Sequence, residues 1–231
     1  MTKTMQTLWK IIALGLLVFC MQPATAKHGA RVIILATDYP PFDIASPEDG
    51  LHGFDHEVAA EAFARRGITP EITYVPWSRA ISAGENGHVQ AVLTCAQTEE
   101  RRDHFLFSAP ISGEAYGIHY RVGFPVDDIA TLADLKGYIV ASVLEYAPNA
   151  DLNDYGADLV DISSDIAGFR MLELERGDFL YTGRAAGNYL LERSNPSVEL
   201  AFKPFVEWDY YLCFSKKHPD SEHLRQVFNE G

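Results

Sequence analysis

This chain of 231 residues has few basic residues and few cysteines, and it has no histidines at the spacing of metal ligands. Lys and Arg number 19 against 32 Asp and Glu, and the resulting net charge of −13 makes nucleic acid and anionic membranes poor partners. Three cysteines are too few for a disulfide scaffold, and neither they nor the eight histidines are spaced as metal ligands. Phosphate-binding loops and Gly-x-Ser-x-Gly are absent as well. We therefore expect no nucleic-acid partner, no metal and no cofactor.

A long apolar run occurs at the N-terminus, where it has the features of an export signal. Lys3 and Lys10 precede the apolar stretch 11–21, and Ala24-Thr25-Ala26 is a cleavage site of small residues. The stretch is short for a membrane span, although a retained anchor is the alternative. We expect residues 1–26 to be removed as a signal peptide. The mature chain then has 17 basic and 32 acidic residues, a net charge of −15.

Short apolar strands alternate with amphipathic helices along the rest of the chain. The first series has strand patterns at 31–37, 69–75 and 89–95 with helical patterns at 54–66 and 78–85 between them. A second series begins near residue 119, and a last strand at 210–214 precedes a helix from 221. This order predicts an α/β protein with mostly parallel sheets wrapped by helices. The last helical pattern stops at 231 in mid-stripe, so we expect the sequence to be truncated there.

The stretch 89–102 places a charged side chain where an α/β sheet binds ligands. Its apolar strand ends in a polar loop, and Thr98 is a good N-cap for a helix that opens with Glu99 and Glu100. Arg101 therefore lies at the carboxyl edge of the sheet, where open α/β folds bind ligands. Its planar fork can hold a carboxylate with two hydrogen bonds. The alternative is a surface arginine paired with the two glutamates.

Five short motifs occur here in the order seen in bacterial solute-binding proteins of family 3. They are Gly53-Phe54-Asp55, Pro76-Trp77-Ser78-Arg79, Gly87 before a strand, Thr98-Glu99-Glu100-Arg101 and Phe107-Ser108-Ala109-Pro110. The chain resembles this family from about residue 31 to its end, most strongly over 51–113. The Pro-Trp-x-Arg signature is similar to an orphan branch that often lacks an obvious transporter partner.

The resemblance implies a type II periplasmic binding protein, with two α/β lobes joined by two crossing strands. Lobe 1 would contain 27–117 plus 209–231, and lobe 2 would contain 118–208. The implied function is binding of a small carboxylate-bearing, amino-acid-like solute in the periplasm by closure of the lobes. The protein would be a monomer that delivers its solute to an ABC permease of the inner membrane. Alternatives are a ligand-sensing domain or an enzyme similar to cyclohexadienyl dehydratases, with Glu145 or Glu173 as acid.

The resemblance and the strand ends together predict the ligand-binding residues, with none expected to be catalytic. Arg101 would bind the carboxylate, and the others would supply hydroxyl groups, aromatic faces or a second charge. The predicted set is Arg101, Thr94, Tyr39, Phe42, Trp77, Ser142, Tyr146 and Arg184.

The sequence also departs from the amino-acid receptors of the family at two positions. Of the two alternate positions that carry small or hydroxyl residues in these receptors, Thr94 has a hydroxyl and Ala96 lacks one, and Gly183 stands where they have an aspartate for the ligand ammonium. We therefore expect standard amino acids to bind weakly, unless Asp43 or Glu145 supplies a carboxylate from another direction.

The resemblance also bears on the two cysteines that remain after signal cleavage. It places Cys95 and Cys213 on neighbouring strands of lobe 1. Whether they form a disulfide stays open, because cross-strand geometry is often unsuitable.

Overall fold

The computed structural model describes residues 31–147, 149–194 and 196–231, so the predicted signal peptide lies outside the described residues. The strands are β1 (Arg31–Ala36), β2 (Thr69–Tyr74), β3 (Ala91–Ala96), β4 (Phe105–Phe107), β5 (Ser112–Arg121), β6 (Ile139–Val143), β7 (Asp158–Ile162), β8 (Phe179–Gly183) and β9 (Leu200–Ser215). The helices are α1 (Phe54–Arg65), α2 (Trp77–Glu85), α3 (Glu99–His104), α4 (Asn149–Asp154), α5 (Asp165–Glu173), α6 (Arg184–Ser194) and α7 (Ser221–Glu230), with a 3₁₀ turn at Leu132–Leu135.

Two sets of parallel strands are joined through two long antiparallel strands. The order across the sheet is β2-β1-β3-β9-β5-β8-β6-β7, and β4 pairs with β9 beside this path. β1 is parallel to β2 and β3, β6 is parallel to β7 and β8, and β5 and β9 run antiparallel to each other. In each parallel set the first strand of the series lies in the middle. The predicted α/β class, with mostly parallel sheets and two crossing strands, is confirmed.

The second crossing strand is much longer than its sequence pattern indicates. A strand was expected only at 210–214, whereas β9 has 16 residues and pairs with β5 from Leu200 opposite Arg121 to Tyr210 opposite Ser112. Its first ten residues are only half-buried or exposed and mix charged with aromatic side chains. They lack the apolar run of a core strand, so their strand state depends on pairing with β5.

The core of the first parallel set lies on both faces of β3, whose six residues are all buried. On one face Leu93 belongs to an apolar cluster with Phe63 of α1 and Phe228 of α7, whose ring centroids are 5.4 Å apart. On the other face Val92 packs in a second cluster that includes Trp77 of α2. Each such buried side chain contributes roughly 1.5–3 kcal/mol. The carboxyl end of β3 is thereby held firmly between two helical layers.

Gly53 fixes the turn after β1 against the start of α1. The amide of Phe54 donates to the carbonyl of Pro41 (3.1 Å), and the amide of Asp55 donates to the carbonyl of Phe42 (3.0 Å). Gly53 has φ +97°, and a Cβ there would lie 2.4 Å from the Phe42 carbonyl oxygen. Only glycine permits this approach, which explains why Gly53-Phe54-Asp55 opens the helix.

Cys95 on β3 and Cys213 on β9 form a disulfide. The two cysteines are not directly opposed, since Val92 faces Cys213 and Cys95 faces Tyr211, with a register shift between Val92 and Cys95. This irregularity brings the Cα atoms to 6.0 Å, within the usual range for a disulfide. The possibility that sequence left open is therefore realised.

Residues 31–231 make up one compact unit. The lobe boundaries at 117/118 and 208/209 remain a prediction. None of the helices within the described ranges is long and apolar enough to cross a membrane.

Candidate functional site

A small aromatic cavity lies where the ends of β1 and β3 meet the crossing strands and the loop after β6. It has about 30 Å³ of space for the centres of water-sized molecules, room for roughly two waters. Its walls are formed by Thr37, Tyr39, Trp77, Thr94, Ala96, Arg101, Tyr116, Tyr146, Ala147, Trp208 and Tyr210.

Arg101 is the cation in the cavity wall, and it is buried, with only 6% of its surface exposed. Thr98 caps α3 as predicted, because its hydroxyl accepts from the Arg101 amide at 3.2 Å. The guanidinium donates to the carbonyls of Ala96 (3.0 Å) and Glu145 (2.7 Å) and lies 5.2 Å from the centre of the Trp77 ring. Three of its five N–H groups remain for other acceptors. The surface-pair interpretation of Arg101 is therefore wrong, since it is Arg102 that pairs with Glu99.

The loop after β6 closes the cavity from the second parallel set. The Glu145 carbonyl accepts from both Arg101 and the Trp77 indole N–H (2.9 Å), and Glu145 has φ +67°. Tyr146 lies edge-on to Tyr39 at 6.0 Å and to Trp77 at 6.4 Å. Its hydroxyl donates to the buried carboxylate of Asp165 at 3.1 Å. The loop is thus held by contacts on both sides of the cavity.

A larger cleft adjoins the cavity beyond Tyr39 and Tyr146. It has about 340 Å³ of space and shares these two residues and Thr37 with the cavity wall. Asp165 lies in its lining, and burial raises the pKa of that carboxyl to about 6. The two spaces are separated chiefly by tyrosine rings.

Glu114 brings a buried carboxylate to the tyrosines of the cavity. Its Oε1 accepts from the hydroxyls of Tyr39 (2.5 Å) and Tyr210 (2.9 Å). Its Oε2 accepts from the amides of Ala185 (2.7 Å) and Ala186 (3.4 Å) in the first turn of α6. Burial raises the pKa of Glu114, while these donors at the helix N-terminus favour the ionised form.

The carboxylate of Glu114 occupies the place that a side chain at position 183 would need. A Cβ built on Gly183 would lie 2.1 Å from its carboxyl carbon. Residue 183 offers no carboxylate, as expected, but the carboxylate of Glu114 lies beside it. Neither suggested substitute is the source: Asp43 is fully buried in another cluster, and Glu145 contributes its carbonyl. Sequence reasoning missed Glu114 because it precedes Gly183 by 69 positions and lies on a different strand.

Thr94 joins two buried carboxyl groups beneath the cavity floor. Its hydroxyl contacts Oδ2 of Asp43 and Oδ2 of Asp55, the latter at 2.8 Å. A hydroxyl has one hydrogen, so Thr94 donates fully to only one of these oxygens at a time. Burial raises the pKa of Asp43 well above its usual value and that of Asp55 to about 6.

Replacing Asp55 with asparagine should flatten the pH dependence of stability. A carboxyl with pKa about 6 when folded, and about 3.9 when unfolded, binds more protons in the folded state between those values. Its contribution to stability is therefore greatest at low pH and is lost as pH rises from about 4 to 6. At about 1.36 kcal/mol per pKa unit, that loss is roughly 2–3 kcal/mol. Melting temperatures of both proteins from pH 4 to 7 check this, and parallel curves would contradict it.

The eight predicted site residues divide into two groups. Five line the cavity together: Arg101, Thr94, Tyr39, Trp77 and Tyr146. Three lie elsewhere. Phe42 is buried behind Tyr39 with ring centroids 5.7 Å apart, Ser142 is buried and donates to Asn149 (2.7 Å), and Arg184 is exposed over the Phe202 ring.

The crossing strands supply the wall residues that the sequence did not identify. Tyr116 is on β5, and Trp208 and Tyr210 are on β9. Glu114 and Tyr116, two apart on one strand, share a face. The sequence signal that could have identified Glu114 is a glutamate two positions before a tyrosine in a largely apolar strand.

Residues 32–231 match the bacterial extracellular solute-binding proteins, family 3. The chain belongs to this family. Among its relatives, the L-cystine-binding protein TcyJ of Escherichia coli K12 is 22% identical over 197 residues, which cover 84% of this chain and 74% of TcyJ. The family's matched relatives are binding proteins, so solute binding is supported and the enzyme alternative is not.

Solved structures show the same fold at low identity. Holo ArgBP from T. maritima has a TM-score of 0.73 at 21% identity, covering 87% of this chain and 88% of ArgBP. A histidine kinase sensor domain with similarity to periplasmic binding proteins has a TM-score of 0.78 at 22% identity, covering 87% of this chain and 88% of that domain. The predicted type II periplasmic binding protein fold is confirmed. The described residues contain no group of three or more His, Cys, Asp or Glu side chains that could hold a metal ion.

Proposed function

We propose that this solute-binding protein holds a small, amino-acid-like solute by its carboxylate, with Arg101 as the main contact. The observation that carries the proposal is a buried arginine in a cavity wall that forms no ion pair with any carboxylate of the described residues. Within the described ranges, Arg101 takes part in no ion pair. Burying an unpaired charge is costly, so such a site is suited to an anionic ligand group. The relatives named for L-cystine and arginine support an amino-acid-like solute.

The remaining cavity residues surround the body of the solute. Tyr39, Trp77 and Tyr146 offer aromatic faces, and Thr94 lies beside Arg101 in the wall. Movement of Tyr146 would join the cavity to the adjoining cleft and give a space suited to a small molecule. Closure of the two lobes would then restore the contacts of the loop after β6, as a shift between populations that the solute stabilises.

Delivery to an ABC permease, a monomeric state and a periplasmic location with cleavage after Ala26 complete the proposal. A matched structure is the substrate-binding protein of an amino-acid ABC transporter, which supports the permease. The sensor-domain match supports ligand sensing as a second candidate, because the same fold serves both. A coupled permease should respond to the loaded protein in a vesicle uptake assay, whereas a sensor would not support uptake.

A thermal-shift screen tests solute binding directly. The mature chain, recovered from the periplasm and checked by intact mass for loss of residues 1–26, is mixed with carboxylate compounds at millimolar concentration. A ligand at 100 times its dissociation constant should stabilise the protein by about 2.7 kcal/mol. Matched amides or esters, which lack the anionic group, should give no shift. Equal shifts with acid and amide, or no shift with any acid, would contradict the proposal.

A further inference from the structure

We propose that Glu114 makes the cavity selective for solutes that carry an amino group as a cation beside their carboxylate. This inference rests on the proposed function and extends it to the second charged group of the solute. Glu114 is 7% exposed and does not itself form the cavity wall. It acts through the hydroxyls of the cavity tyrosines, so we describe it as a positioning residue.

Two buried groups of opposite charge act on this one cavity, Arg101 directly and Glu114 through tyrosine hydroxyls. Arg101 lies in its wall, and Glu114 is hydrogen-bonded to two of its tyrosines. Over the described residues neither group takes part in an ion pair. A buried charge is costly unless a partner compensates it. A solute with a carboxylate and a protonated amine would supply a counter-charge to both.

The hydrogen-bond directions around Glu114 also suit a ligand that donates hydrogen bonds. The carboxylate accepts the hydroxyl hydrogens of Tyr39 and Tyr210, so the Tyr39 oxygen accepts from the Tyr116 hydroxyl, and the oxygens of Tyr116 and Tyr210 keep acceptor capacity. The Tyr116 hydroxyl lies 3.0 Å from that of Tyr39 and belongs to the same network. An ammonium group has three donors and no acceptor. The carboxylate charge attracts a cation at this place strongly, because the surroundings are buried.

Gly183 is what allows Glu114 to reach the cavity tyrosines. Its missing side chain leaves room for the carboxylate at the first turn of α6, where two amides hold it. A carboxylate thus reaches this place from the crossing strand β5 instead of from residue 183. The expectation that standard amino acids bind weakly is replaced by the opposite one.

Isothermal titration with matched pairs of compounds tests this inference. The probes are the twenty standard L-amino acids and L-cystine, each paired with its deaminated acid, such as propionate for L-alanine and dithiodipropionate for L-cystine. For at least one pair, we expect the amino acid to bind the wild-type protein at least about tenfold more tightly than the acid. In Glu114→Gln this ratio should fall below about threefold, while affinity for the acid changes little.

Asp178→Asn is the matched control, because it also removes one carboxylate, at the opposite end of β8 from Gly183. Its ratio should equal that of the wild-type protein. If Glu114→Gln does not fold by circular dichroism, Tyr210→Phe removes one acceptor and keeps the carboxylate, and it should also lower the ratio.

Each remaining outcome counts against the inference. Equal wild-type binding of amino acids and deaminated acids, lost in Arg101→Ala, would overturn the role of Glu114 and leave the proposed function standing. A high ratio that survives in the variants of Glu114 and Tyr210 would do the same. If no carboxylate compound binds the wild-type protein, the proposed function fails and this inference fails with it.

Discussion

Replacing Arg101 with alanine should weaken binding of the cognate carboxylate at least about tenfold. Each hydrogen bond to a charged group contributes roughly 1.5–3 kcal/mol, and a tenfold change in affinity needs only about 1.4 kcal/mol. The three N–H groups of Arg101 that have no partner among the described residues are available for this contact. Titration calorimetry on both proteins measures the change, and circular dichroism shows whether the fold is kept.

Arg102→Ala is the matched control for this experiment. Arg102 is the next residue of α3, but it is half exposed and pairs with Glu99 at the surface. Its loss removes the same charge and should leave the dissociation constant within about twofold, since exposed ion pairs contribute little. An unchanged constant in Arg101→Ala, or equal losses in both variants, would remove Arg101 from the binding site.

Loss of the Cys95–Cys213 disulfide should lower the unfolding free energy by about 3 kcal/mol. The bond spans 118 positions, and closing so long a loop in the unfolded chain removes much of its conformational freedom. For a chain of this size, the melting temperature should fall by roughly 6–12 °C. Alanine at both positions is the variant to use, because Cys95 and Cys213 are fully buried and serine would bury two hydroxyls.

Two measurements distinguish the stabilising effect of the disulfide from the destabilisation caused by removing two buried sulfur atoms. Unfolded, unreduced mature protein should contain no free thiol. Reductant during unfolding and refolding should lower the melting temperature of the wild-type protein and leave that of the double alanine variant unchanged. Two free thiols per chain, or a wild-type protein insensitive to reductant, would contradict the prediction.

Local sequence signals were sufficient to place a site residue where a single segment determines both its secondary structure and its position in the fold. The apolar run before Cys95, the cap at Thr98 and the helix that follows place Arg101 at the sheet edge, and the structure agrees. Aromatic residues just after the first strand predicted Tyr39 in the same way. In each case the decisive interactions lie within a few residues.

Features that depend on pairing between distant segments could not be predicted. Glu114 reaches Gly183 only because β5 lies beside β8 in the fold. The first half of β9 has no strand pattern of its own and is ordered by β5. The disulfide required a register shift between Val92 and Cys95 that alternation of residues does not reveal. Tertiary contacts decide all three.

The small size of the cavity has a consequence for the time course of binding. With room for roughly two waters, the cavity cannot admit a solute of several heavy atoms while the Tyr146 ring stays against Tyr39 and Trp77. At the proposed site, withdrawal of the loop after β6 would come first, at a rate that the solute does not influence. At high solute concentration we expect the observed association rate to level off at the rate of that withdrawal. We therefore expect the hydrogen bonds of Glu145 and Tyr146 to determine how fast the protein can take up its solute.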